Sequence, residues 1–400
     1  MRSWIAACTP SFSRPAPACS PRSPPPSTAP APRSAPSPPT CPPPRSPPCW
    51  TPSPRTPSRP PAGRRAPRRD GRARRRRHRR PHRHLRLHRA PKFTELPAAA
   101  LRASAAATLA RIGAAPGDRW LCCLPTSHIA GIQVLVRSLV AGTEPVIMPK
   151  PDAADLAAAA PPGAHVALVP TLLRRLVDAG TDLSKLGAIV LGGAAAPPAL
   201  LAGARDRGAR VFTTYGMSET CGGCVYDGVP LDGVRASLAA DGRIRIAGPS
   251  LFTGYRLRPD LTATARDGEW FVTGDLGAFE DDGRLRVRGR VDDVINTGGE
   301  KVVAGEIAAA LARHPKVRDV VVVGRPDPEW GERVTAVVVP SGGAAGTAGA
   351  PALAELRAFV RETMPAHAAP RELELVERIP LLPSGKPDRV RLRGPGGHGR

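Results

Sequence analysis

The amino-acid sequence predicts an α/β protein, with a large N-terminal domain on a mostly parallel sheet with helices and a small α+β domain at the C-terminal end. Three observations carry that expectation. Between Pro97 and Thr213, short apolar runs alternate with longer stretches of helical period, the pattern of repeated strand–helix units. From Gly242 the texture changes to short strands separated by turns, as at Arg243–Ala247 and Trp270–Val272. After Val302 comes helix Gly305–Arg313, strands Asp319–Gly324 and Arg333–Val339, helix Leu353–Met364 and strand Glu372–Glu377.

Each element has a local reason. Ala98–Ile112 is Ala-rich, with Leu101, Leu109 and Ile112 spaced for one helix face. Trp120–Leu124 reads as a buried strand in which Cys122 and Cys123 are core thiols. The loop Pro125–Gly131 (PTSHIAG) opens helix Ile132–Val140, where Arg137 is an odd charge beside Ile132, Leu135, Val136 and Leu139. An exposed helix arginine is the ordinary explanation for it; pairing with a substrate carboxylate is the functional one. Glu144–Met148, His165–Val169 and Ala188–Leu191 read as strands, with Asp152–Ala160 and Thr171–Ala179 as the helices between them. Ala188–Leu191 ends in Gly192-Gly193-Ala194, and Pro197 opens the next helix, where its missing N–H costs nothing. Arg210–Thr213 is again a strand. Ligands of parallel sheets bind beyond the carboxyl ends of the strands. That rule singles out three loops: Pro125–Gly131, Gly192–Pro198 and Thr214–Gly223.

Charge is distributed unevenly. Residues 1–90 hold 21 Arg, no Lys and a single acid, Asp70, so nearly all of the net charge of +24 lies there. The rest of the chain is close to neutral, so its charge argues for no nucleic-acid partner. Residues 1–90 are also rich in Pro, Ser and Ala and show neither strand nor helix period, so they are expected to be disordered. Three readings of Arg72–Arg80 (RARRRRHRR) stand: a tail for polyanions, a solvated tail without function, or a GC-rich gene translated out of frame. The abrupt change at Ala90–Pro91 favours the last. No apolar run reaches the ~18 residues of a membrane span, and Trp4–Cys8 is too short for a secretory core. Cys221-Gly222-Gly223-Cys224 has C-x-x-C spacing, but one pair cannot complete a four-ligand zinc site. A reduced, cytoplasmic protein is the default expectation.

The densest chemistry lies in Gly289–Val302 (GRVDDVINTGGEKV), which packs a guanidinium, two adjacent carboxylates and a Gly pair between a strand and a helix. Alone it reads equally well as a polar turn with a helix cap. Extended to Gly289–Glu306, and taken with Thr214–Glu219 (TYGMSE), Thr273–Leu276 (TGDL) and Pro383–Lys386 (PSGK), it forms a set of four motifs. Their order and separations resemble the adenylate-forming acyl-CoA synthetase superfamily over about Pro91–Arg391. Within it, Leu124–Pro145 looks most like the o-succinylbenzoate–CoA ligase branch of menaquinone biosynthesis.

The resemblance implies a ligase that uses ATP, Mg²⁺ and coenzyme A with a small-molecule carboxylic acid. An acyl-adenylate forms first; the small, mobile domain then swings and the CoA thiol takes the acyl group. It implies an adenylation domain over residues 91–290, a C-terminal domain over 291–391 and a tail over 392–400. Lys386 would be the catalytic lysine of the first step, on an exposed turn. Ser218, where the family more usually has Thr, would meet the α-phosphate, and Glu219 would hold Mg²⁺. Gly192, Gly193, Ala194, Tyr215 and Gly216 would lie about the adenine. Asp275, on bare sequence a turn residue, would accept from the ribose hydroxyls, and Arg290 would touch ribose and phosphate. Asp292 would be the hinge. Gly298 and Gly299 would line the passage for pantetheine, and His128 would wall the substrate site. Of the family's phosphate-binding loop only Pro91-Lys92 survives, because His82–Ala90 replaces its glycines. As written, the first half-reaction should therefore be weak. The alternatives are another acyl-CoA synthetase, for a fatty or aromatic acid, or an inactive relative whose basic tail binds nucleic acid.

Overall fold

The structure is a computed structural model that describes residues 92–148, 153–342, 349–382 and 385–394. The expectations for residues 1–91, for Pro383 and Ser384 of the PSGK motif and for 395–400 lie outside the described residues, as do parts of the Ser341–Ala350 loop.

The larger sheet has seven strands. In spatial order they are Val146–Ile147, Trp120–Cys122, His165–Leu168, Ala188–Leu191, Arg210–Met217, Gly222–Tyr226 and Val229–Pro230. The first five run parallel and the last two antiparallel. His165–Leu168 and Ala188–Leu191 are buried at every residue, as strands covered on both faces must be. One apolar cluster around Trp120, Val134, Val190, Tyr226 and Ile246 lies on one side. A second, around Leu121, Leu168, Leu173 and Ile189, lies on the other.

Helix Ala98–Ile112 keeps the expected bounds but buries Ala100, Ser104, Ala105, Thr108 and Ile112, leaving Leu101 and Leu109 half-buried at the edge of that stripe. It packs against helix Ile129–Ala141, and small side chains on the facing stripe let two helices approach closely. Both helices end at a glycine in the left-handed region, Gly113 and Gly142, whose N–H groups close the last turn.

Two expectations are corrected here. The stretch Thr214–Gly223 is not a loop. Strand Arg210–Met217 runs on through it, a 3-10 turn at Ser218–Thr220 reverses the chain, and Gly222–Tyr226 returns antiparallel. The tight return needs Gly216, because a Cβ there would lie 2.0 Å from the Gly222 carbonyl oxygen. Arg137 is not an exposed helix residue. It is 3 % exposed, its guanidinium lies 5.1 Å from the Trp120 ring centroid, and Nη2 donates to the Tyr226 hydroxyl at 3.5 Å. A side chain so covered offers no open face to a substrate carboxylate.

A second, antiparallel sheet joins Arg266–Asp267, Trp270–Phe279, Arg243–Ala247 and Arg235–Leu238, with Leu285–Arg290 on the other side of Trp270–Phe279. Thr94–Glu95 pairs with Gly254–Tyr255. The small C-terminal sheet joins Glu300–Val303, Val294–Thr297, Gly331–Pro340 and Val317–Asp327 antiparallel, and Glu372–Leu375 adds parallel to Gly331–Pro340. Helices Ala304–Leu311 and Leu353–Arg361 cover it through Ile307, Leu311, Leu356 and Val360. The final helix, Arg389–Arg393, is a further correction. Leu392, assigned to the tail, is instead buried and packs with Val321, Val323, Val337 and Val339. No helix among the described residues is long and apolar enough to cross a membrane.

Candidate active site

Several of the sequence-derived residues lie near the carboxyl ends of the parallel strands, some of them reaching there from the second sheet. Strand Ala188–Leu191 hands over to Gly192 and Gly193, where a Cβ on Gly192 would lie 2.6 Å from Thr214 Oγ1 and Gly193 has φ +87°. Tyr215, next along, donates its hydroxyl to Asp275 Oδ2 at 2.8 Å. The other oxygen of that carboxylate accepts from Arg290 Nη1 at 2.9 Å. One carboxylate thus fixes an aromatic ring and a guanidinium at once. Burial, and then the Asp275 charge beside it, push the Tyr215 phenol far above its ordinary range, so it remains a donor.

Asp275 is not a turn residue, as the bare sequence suggested. It sits within strand Trp270–Phe279 and is 7 % exposed. Cross-strand pairing puts it opposite Arg290, and Gly274 leaves room for the guanidinium: a Cβ there would lie 2.9 Å from Arg290 Nη2. Asp292 follows in the 3-10 turn Val291–Asp293, its carboxylate 4.0 Å from Arg290 Nη2.

A second group forms around Glu219. Its Oε1 accepts from the Tyr255 hydroxyl at 2.8 Å, and Lys92 Nζ lies 5.1 Å from the centroid of the same ring. Tyr255 therefore joins Lys92 to Glu219, a role that sequence reasoning missed. The available signals were slight: Tyr255 is one of only three tyrosines and follows Gly254. Ser218 opens the 3-10 turn that carries Glu219. Among the described residues no three His, Cys, Asp or Glu side chains cluster as a metal site. A lone hard carboxylate suits Mg²⁺, which takes one or two carboxylates together with substrate phosphates.

The Lys386 turn reaches this region from the C-terminal end. A Cβ on Gly385 would lie 3.3 Å from one methyl of Val169 and 3.7 Å from Thr171 Oγ1; a Cβ on Gly193 would lie 3.3 Å from the other methyl. Val169 is thus sandwiched between the Gly192–Ala194 loop and the turn bearing exposed Lys386. His128, also exposed, precedes helix Ile129–Ala141 as its N-cap, and Ile129 stands 3.9 Å from where a Gly222 Cβ would be. Gly298 and Gly299 are placed differently. They form the two-residue turn between Val294–Thr297 and Glu300–Val303 with φ +62° and +85°, the backbone a tight hairpin demands. Gly298 packs on Trp330, and its N–H donates to the Trp330 carbonyl at 2.9 Å.

Cys122, Cys123, Cys221 and Cys224 are buried free thiols, and burial raises Cys221 to about 11 and Cys224 to about 12. Such thiols are inert at neutral pH.

Comparison with known proteins places the chain. Residues 90–256 match the family described as AMP-binding enzyme, and residues 306–386 match the AMP-binding enzyme C-terminal domain. A protein of Mycobacterium tuberculosis named "Probable 2-succinylbenzoate--CoA ligase" is 44 % identical over 324 residues, covering 76 % of this chain and 80 % of that protein. The 2-succinylbenzoate–CoA ligase of Bacillus thuringiensis is 32 % identical over 318 residues, covering 73 % of this chain and 64 % of that one. Among solved structures, o-succinylbenzoate CoA synthetase of Bacillus subtilis in complex with its acyl-adenylate intermediate is similar at a TM-score of 0.65 and 27 % identity, over 77 % of this chain and 67 % of that one. The amide bond synthetase of Marinactinospora thermotolerans is similar at a TM-score of 0.68 and 30 % identity, over 76 % and 67 %. By sequence and by fold, the chain belongs to the AMP-binding enzyme family.

Proposed function

We propose that this protein is an AMP-forming acid–CoA ligase acting on o-succinylbenzoate. The observation that carries the reading is the meeting at Val169 of the Gly192–Ala194 loop and the Lys386 turn, beside the Tyr215–Asp275–Arg290 network. The reading takes the first of these as the nucleotide site and the exposed Lys386 ammonium as its catalytic partner, at the carboxyl end of a parallel sheet where ligands bind.

In the first half-reaction the substrate carboxylate oxygen attacks the α-phosphorus of ATP and pyrophosphate leaves. Adenine lies along Gly192, Gly193 and Ala194 and against Tyr215 and Gly216. The Asp275 carboxylate receives the ribose hydroxyls, and Arg290 spans ribose and phosphate. Ser218 donates to the α-phosphate. Glu219 would hold Mg²⁺, which when bound would neutralise charge on the phosphates, with Lys92 close by on Tyr255. The Lys386 ammonium stands between the carboxylate and the α-phosphate and stabilises charge where it develops. In the second half-reaction the small domain turns about Asp292, Gly298 and Gly299 flank the pantetheine arm, and His128 walls the acyl site. The CoA sulfur then attacks the acyl carbon and AMP leaves.

The test is product analysis with ATP, Mg²⁺, o-succinylbenzoate and CoA. The reading predicts AMP, pyrophosphate and the thioester. ADP as product contradicts it, and acyl transfer to an amine but not to CoA would move the chain towards the amide-forming relatives.

A further inference from the structure

Two adjacent carboxylates follow Arg290, and the structure treats them oppositely. The Asp292 side chain is 63 % exposed, whereas Asp293 is 8 % exposed as a residue. Asp293 Oδ1 accepts from Arg393 Nη2 at 2.9 Å, and Oδ2 lies 3.3 Å from Arg389 Nε. Arg393 Nη2 also donates to the Asp292 main-chain carbonyl at 3.2 Å. Both arginines belong to helix Arg389–Arg393, which starts three residues after Lys386. Asp388 caps that helix by accepting from the Arg391 N–H at 3.1 Å. The Lys386 turn closes on itself through Leu382 N–H to the Lys386 carbonyl at 2.8 Å and Asp388 N–H to the Pro380 carbonyl at 2.9 Å.

We propose that Asp293, acting through Arg389 and Arg393, is a positioning residue for Lys386: it locks the C-terminal helix to the hinge, so that the small domain carries Lys386 as a rigid arm. The inference rests on the ligase reading above. An exposed lysine on a turn is placed only as well as the nearest rigid element. Here that element is a single helical turn, too short to hold its shape alone. Leu392 and the Arg389 Nη1 bond to the Val322 carbonyl at 2.9 Å fix it to the sheet. Asp293 fixes it to the residue at which the chain enters the small domain. Without that carboxylate, the two guanidinium groups that now share it lose their common counter-charge.

The test uses the full chain with Asp293→Ala, Asp293→Asn and Arg393→Ala. The first half-reaction is read by acid-dependent ATP–pyrophosphate exchange, and the second by giving the protein synthetic acyl-adenylate and CoA. Asp293→Ala is expected to slow adenylate formation at saturating ATP by about tenfold or more, as misplacement of a catalytic group does. Thioester formation from supplied adenylate and the KM for ATP should stay within about threefold. Asp293→Asn keeps an acceptor for Arg393 and should recover part of the loss. Equal losses in both half-reactions mean plain destabilisation and overturn the proposal, as does unchanged adenylation. Hydrogen exchange on the same proteins gives a second readout that needs no activity. Amides of 385–393 should exchange about tenfold faster in Asp293→Ala while those of Val317–Asp327 keep their protection, and equal protection throughout overturns the proposal. A folded wild-type chain that forms no adenylate counts against the ligase reading, and the exchange measurement still decides whether Asp293 holds the turn.

Discussion

The two sides of the candidate site are built by different means. On the sheet side, Asp275 is nearly buried in a ten-residue strand and binds Tyr215 and Arg290 in a network complete before any ligand arrives. On the C-terminal side, Lys386 stands exposed on a short turn, and its position is inherited from elements at a distance. On the proposed function, recognition can be preorganised because the nucleotide would stay in one place. By the same reading, a charge used in only one of two half-reactions has to be able to leave and so cannot be buried in a network of its own.

That contrast orders the expected effects. Lys386→Ala should leave folding intact, since the side chain is exposed, yet slow adenylate formation by about 10²–10³; exchange kinetics beside a thermal melt would separate the two. Should the melt move as much as the rate, the turn is structural and the contrast fails. Asp275→Asn should do the reverse in kind. It removes the nearer counter-charge of Arg290 and weakens the acceptor for Tyr215, so we expect a loss of about 1–3 kcal/mol in stability along with a raised KM for ATP. Denaturant unfolding and initial rates would check this, and a variant as stable as the parent would show that the network is not preorganised.

Gly298→Ala places a Cβ at φ +62° and 2.7 Å from Trp330 Cε3. Strain of about 1–3 kcal/mol is expected, with thioester formation slowed more than adenylation. The smallest effects belong to pairs that join the small domain to the large. Arg288 meets Glu306 in a two-pronged pair at 2.6 and 3.0 Å, and Arg318 meets Asp178 on the surface. Glu306→Gln should shift the balance between half-reaction rates by about fivefold, about 1 kcal/mol, and Asp178→Ala by less, with both shifts fading in high salt. A larger effect from Asp178 than from Glu306 would reverse that ranking.

The fold was legible where side-chain period carries the information. Helix Ala98–Ile112 and strands Ala188–Leu191 and Arg243–Ala247 fall on their expected bounds because apolar spacing and flanking Gly residues define them. Local signals failed where a tertiary partner decides. Thr273–Leu276 reads as a turn because Gly-Asp is turn chemistry, yet Gly274 is there to admit Arg290 and the strand continues. Arg137 looks like a surface charge because nothing local announces that Trp120 and Tyr226 will enclose it. Asp292 and Asp293 are identical letters side by side. Only the return of the chain at Arg389 and Arg393, about a hundred residues later, makes one exposed and the other a buried anchor. The candidate site residues were proposed from their motifs and flanking loops. Tyr255, which joins Lys92 to Glu219, belongs to none of those motifs and emerged only from the geometry.

The most direct test of the account is a single-turnover assay of the full chain with ATP, Mg²⁺ and o-succinylbenzoate, without CoA, beside its Lys386→Ala variant. The account predicts that acyl-adenylate and pyrophosphate form in the parent protein, slowly given the incomplete phosphate loop expected from the sequence. In the variant they should fall by about 10²–10³, and adding CoA to the parent should convert the adenylate to thioester and AMP. A folded parent that makes no adenylate, or a variant that makes it equally fast, contradicts the account.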